Sequence, residues 1–96
     1  MNIDFDNQKK ELLKDTSILQ NITNEQPNLN ISNLMNFLDS SWYLPILNLA
    51  VENDNTEIIH DILKKVEDNE LINKEVFTKR DLNRKKLLKV FFKKKI

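Results

Sequence analysis

The chain contains no glycine and no cysteine, and among its 96 residues only two prolines, one histidine and one alanine. Each scarcity excludes something. Glycine-rich phosphate loops, dinucleotide fingerprints and nucleophile elbows rely on backbone freedom that this chain lacks. Without cysteine there are no disulfide staples, no thiolate chemistry and no cysteine-ligated zinc or iron–sulfur site. No apolar run approaches the roughly 20 residues of a membrane-spanning helix. The opening Met1-Asn2-Ile3-Asp4-Phe5-Asp6 is acidic, where a secretory leader is basic. These features lead us to expect a cytoplasmic protein, with a host-cell cytosol as the setting if it is an effector.

Apolar residues make up 40% of the chain and charged residues 31%, a balance suited to one soluble globular domain. A chain this short buries only about 60–65% of its unfolded surface, so the core is small. The net charge of zero conceals a polarity. Residues 1–63 carry three lysines against ten carboxylates, and residues 64–96 carry twelve Lys/Arg against five, giving −7 and +7. Either the two halves attract each other across the fold, or the dipolar molecule turns toward an anionic partner or a second copy of itself.

Helical periodicity dominates and strand-like alternation is nearly absent, so the expected fold is all-α: a short array of five to six helices. Asp4 or Asp6 is expected to cap a first helix running to about Ile22. Its buried face would carry Phe5, Leu12 and Leu19 at heptad spacing, widened by Leu13 and Ile18. Asn24–Asn30, with Pro27, reads as a breaker. Asn30 or Ser32 then caps a short helix bearing Leu34, Phe37 and Leu38, and Asp39-Ser40-Ser41 is a turn. Trp42–Val51 is the most apolar stretch and should form the central buried helix, with Pro45 in its first turn. Glu52–Asn55 turns the chain back, and Thr56 caps a helix whose face is Ile58, Ile59, Ile62 and Leu63. Asp68 would open a short helix with Leu71, Ile72 and Val76. Thr78 or Asp81 would open a last one with Leu87, Leu88, Phe91 and Phe92. The array forms a single domain: a helical cap over 1–40, a hairpin over 41–66, and C-terminal helices with a basic tail over 67–96.

The segment Pro45–Lys65 resembles one ankyrin repeat. The family pattern opens Thr-Pro-Leu-His-x-Ala, and Pro45, Ile46, Leu47, Asn48, Leu49 and Ala50 fall on those positions, with Leu47 and Ala50 matching. Asn53-Asp54-Asn55-Thr56-Glu57-Ile58-Ile59, then Ile62-Leu63-Lys64-Lys65, follow the apolar spacing of the family's second helix. A weaker likeness to a second repeat start spans 81–92, but Ile46 to Leu87 is 41 residues, longer than the usual ~33-residue period. Where the family has turn glycines this chain has Asp54 and Val66. A left-handed backbone is affordable at Asp54 or Asn55 and not at Val66, so the loop after Lys65 should depart from an ankyrin finger. The resemblance implies a helical hairpin that binds a protein partner without catalysis and without a cofactor. Its partner side implies contacts around Tyr43, Asn48, Glu52 and Asn55.

Other residues offer less chemistry. His60 is the only histidine; its helical neighbours Glu57 and Lys64 do not form a ligand set, and Thr56 lacks an oxyanion loop. Acid pairs such as Asp4/Asp6, Glu52/Asp54 and Glu67/Asp68/Glu70 sit where capping already explains them. No catalytic, metal or cofactor residue is assigned.

The tail gathers Arg84, Lys85, Lys86, Lys89, Lys93, Lys94 and Lys95 with no acid. Its helix can complete the core while its lysines face water. It can instead meet a nucleic-acid backbone, an anionic lipid surface with Phe91 and Phe92, or an acidic protein groove. The leading expectation is a protein-interaction module, with homodimerisation as one way to cover its exposed edges. A nucleic-acid-binding protein using the basic helix is the alternative. A small effector or inhibitor acting by surface mimicry, through its acidic half, is a further one.

Overall fold

The computed structural model describes residues 3–66 and 77–93, all of whose regular elements are helical. They are α1 (Ile3–Glu25), α2 (Ile31–Leu34), a 3₁₀ turn (Ser40–Trp42), α3 (Tyr43–Glu52), α4 (Thr56–Lys65) and α5 (Lys79–Lys93). The all-α fold is thus as expected. The short helix expected around Leu71, Ile72 and Val76 lies outside the described residues, as do Lys94 and Lys95. The short axis of 20 Å is two helix diameters, so every helix keeps one side in water.

The helix that the sequence marks as most apolar forms the centre. α3 packs against α4, α5 and the 3₁₀ turn, and buries Pro45, Ile46, Leu49 and Ala50. Leu19, Leu34, Trp42, Ile46, Ile62 and Leu88 are fully buried around it, each contributing about 1.5–3 kcal/mol by leaving water. Met35, for which no role was expected, joins this core, whereas Phe37 is 50% exposed. The reason is that α2 lasts barely one turn, so Phe37 is no longer on its inner face.

The reversal between α3 and α4 shows how the chain manages without glycine. Asp54 adopts the left-handed conformation, φ 51°. The Asn55 amide donates to the Ala50 carbonyl and the Asp54 amide to the Val51 carbonyl, the paired bonds of a Schellman C-cap. Aspartate occupies the position that glycine usually takes, one of the few residues to tolerate it. Asn55, not Thr56, then caps α4: its Oδ1 accepts from the Ile58 amide at 3.3 Å. At the other end of α4, Val66 has φ −115°, so the chain leaves without a left-handed residue. Asn30 caps α2 through the Asn33 amide. Thr78 and Asp81 form a reciprocal box at the start of α5, each side chain accepting from the other's amide.

The first and last described helices run side by side. Glu11 pairs with Arg80 and Asp15 with Arg84, and both pairs are 69 positions apart. Leu19 and Leu88, fully buried, keep the same separation. Three such pairs, two steps of four residues along both helices, make α1 and α5 parallel and in register. This corrects the expected face of α1. Leu19 is buried, but Phe5 is 63% and Leu13 62% exposed, and Leu12 lies at the margin. α5 begins at Lys79, so in this register it offers nothing opposite the first turns of α1. Asp4 and Asp6 lie within α1 and not ahead of it.

The stretch 81–92, which resembled the start of a second repeat, is one uninterrupted helix, so the described residues contain a single hairpin.

Candidate functional site

Two arrangements bring polar groups together from distant parts of the chain. The first is internal. Arg84 is buried, its Nε donating to Asp15 Oδ2 at 3.1 Å and its Nη2 to Asp15 Oδ1 at 3.3 Å. Its Nη1 donates to the Ser41 hydroxyl at 2.8 Å, and its plane lies 4.3 Å from the Trp42 ring. One guanidinium thereby ties α5 to α1 and to the 3₁₀ turn, using the fork geometry that lysine lacks. The Ser41 hydroxyl in turn donates to Asp39, which also accepts the Ser41 amide. That hydroxyl holds the Asp39 carboxyl below its ordinary value against the opposing pull of burial, with the Ser41 amide, Arg84 and Arg80 assisting.

The second arrangement is a groove between the start of α2, the α3–α4 turn and the outer end of α5. It has two lobes, of about 520 Å³ and 810 Å³, which share Ile31, Asn55 and Phe92. Volumes of this order are those of ligand-binding clefts. Buried Leu29, Leu49 and Ile58 form the floor. Glu57 stands at one end, and Glu52, Lys89 and Lys93 at the other. Glu52 is gripped by Lys85 and by Lys89, the latter at 3.0 Å. The two lysine hydrogen bonds, Lys85 first, hold its carboxyl below the ordinary value. The lysines also offset the cost of a carboxylate at the C-terminal end of α3.

The residues singled out from the sequence are therefore redistributed. Of the expected partner surface, Glu52 and Asn55 line the groove. Tyr43 and Asn48 are half-buried outside it, with Tyr43 packed on the core. Of the basic tail, Arg84 is internal, Lys85 and Lys89 answer Glu52, and Lys86 and Lys93 are exposed. Each of the four ion pairs among the described residues joins an acid of the first half to a cation of α5. The attraction between halves is thus realised within the molecule. His60 is exposed on α4.

Sequence reasoning missed Ile31, Asn30 and Phe92 as groove residues. They come from segments about sixty residues apart, and Asn30 was legible only as a helix cap. Among the described residues no group of three His, Asp or Glu side chains comes together as a metal cage. No described helix is long and apolar enough to cross a membrane. Compared with known protein families, curated proteins and solved structures, the chain matches none.

Proposed function

We propose that the chain is a non-catalytic protein-interaction module whose α3–α4 hairpin is of ankyrin type and whose partner seats in the groove. The observation that carries this reading is the groove itself: an apolar floor at the hairpin turn with Glu52 and Asn55 on its wall. A buried floor with polar walls is the anatomy of a recognition site, where apolar area supplies affinity and the rim supplies orientation.

The reading is tested by affinity capture with the intact chain and with Phe92→Asp, which places a charge where the two lobes meet. A partner retained by the native chain and lost by the variant is the expected result. Retention by both, with the helical circular dichroism of both intact, removes the groove from the function.

A second reading, contact with a nucleic-acid backbone, has one observation in its favour. Lys79, Lys86, Lys89 and Lys93 all lie on the exposed side of α5. Four or so phosphate contacts would lower duplex affinity by roughly two decades between about 50 and 200 mM salt. Undetectable binding at the lower salt eliminates this reading.

A further inference from the structure

We propose that the groove takes an extended peptide segment of a partner protein, held along its backbone by the carboxamides of Asn30 and Asn55 and at an acidic end by Lys93. The proposal rests on the groove being the partner surface and adds the chemistry of what fills it.

The argument starts from the caps. Asn30 Oδ1 accepts from the Asn33 amide at 2.9 Å, and Asn55 Oδ1 accepts from the Ile58 amide at 3.3 Å. Each bond fixes one oxygen of a planar carboxamide and so fixes the attached NH₂ as well. Ser, Thr and Asp serve as N-caps equally, but only Asn leaves a pair of side-chain donors after capping. Those NH₂ groups have no partner among the described residues, and both side chains line the groove. Donors set in place before binding match the carbonyl oxygens that an extended chain presents along its length. Contact through the backbone leaves side-chain identity to the floor. There, alternate side chains of an extended segment, about 6–7 Å apart along their own chain, point down toward Leu29, Ile58 and Leu49, with Ile31 and Phe92 common to both lobes.

The ends of the groove set its polarity. Glu57 lines only the lobe beside Asn30, and Lys89 and Lys93 line only the other. Lys89 already holds Glu52, which leaves Lys93 as the groove cation with no ion pair among the described residues. A segment with a carboxylate toward α5 and a neutral or basic residue toward Glu57 is therefore matched in charge, and its reverse is opposed at both ends.

The test is panning of short random peptides on the intact chain, followed by titration of a synthetic peptide of the selected sequence. The expected selection carries apolar residues at alternate positions and Asp or Glu toward one end. Asn30→Asp and Asn55→Asp keep the capping oxygen but exchange the donors for a second oxygen. Each should weaken the peptide by about tenfold, since a peptide carbonyl then faces an acceptor. Their thermal midpoints should stay close to the native one, because Asp caps as well as Asn. Lys93→Glu should weaken the selected peptide and favour one with Lys at the acidic position. The proposal is overturned by unchanged affinity in both Asp variants, by a basic consensus, or by no selected sequence at all. If it falls while Phe92→Asp still abolishes capture of a protein partner, the interaction module stands and only its occupant is wrong.

Discussion

Arg84 and Lys85 are neighbours on α5, and each holds a carboxylate from the acidic half of the chain. Arg84 does so inside the molecule, with its side chain 10% and that of Asp15 5% exposed; Lys85 does so at the edge, against a Glu52 that is 43% exposed. The inner pair is desolvated and made whole by Ser41 and Trp42, so removing one partner strands a charge. In the rim pair the Lys85 side chain is only 12% exposed but its carboxylate partner stays half in water, where attraction is partly screened and ordering long side chains offsets much of the gain. The same kind of contact thus serves two ends. Inside, it fixes which faces of α1 and α5 meet. Outside, it shapes one end of the groove.

The sharpest break in that contrast is Arg84→Ala. It leaves Asp15 buried without a partner and should lower unfolding free energy by about 3–5 kcal/mol, measured by urea denaturation. Arg84→Lys should recover little, since an ammonium cannot span Asp15, Ser41 and the Trp42 face together. The double change Asp15→Leu with Arg84→Met should recover most of the loss. If it does not, the pair does more than fill and neutralise its site.

An intermediate effect is expected at the hairpin turn, away from both pairs. Asp54→Gly relieves the left-handed backbone and should raise stability by about 0.5 kcal/mol, where glycine elsewhere in a helix lowers it. A loss on this substitution would mean that the Asp54 side chain contributes what its backbone costs.

The smallest effect belongs to the exposed carboxylates. Asp39 and Glu52 both lie below their ordinary values of 3.8 and 4.5 in the folded chain. Their contribution is complete above those values and is lost as pH falls through the lower folded ones. The share of stability that these two groups supply should therefore hold from neutrality down to about pH 4.5 and be lost below it. Glu52→Gln should make that decline shallower and leave the neutral urea midpoint within scatter at about 0.15 M salt. A clear shift at neutral pH would put the rim pair in the same class as the inner one.

Local signals made much of the fold legible in advance. The apolar run from Trp42 to Val51, the Asn30 and Thr78 caps, and the affordability of a left-handed Asp54 each depend on a few adjacent residues. What stayed hidden depends on separation. Arg84 sits in a lysine-rich tail that reads as a solvated face, and its partner is 69 positions away. One signal was present: the chain has only two arginines, Arg80 and Arg84, spaced one helical turn apart like Glu11 and Asp15. The exposure of Phe5 was not legible for the same reason, because heptad spacing shows that a stripe exists and not how far its partner helix extends. Of the groove, the sequence offered Glu52 and Asn55 but not the α2 and α5 walls that complete it.

The register between α1 and α5 also has a consequence in time. Asp15 and Leu19 leave the ribosome first but must wait for Arg84 and Leu88 to be made. At about 5–20 residues per second, that interval lasts roughly 3–14 s. Throughout it α1 has no α5 to lie against, and Asp15 and Leu19, buried in the finished fold, face water.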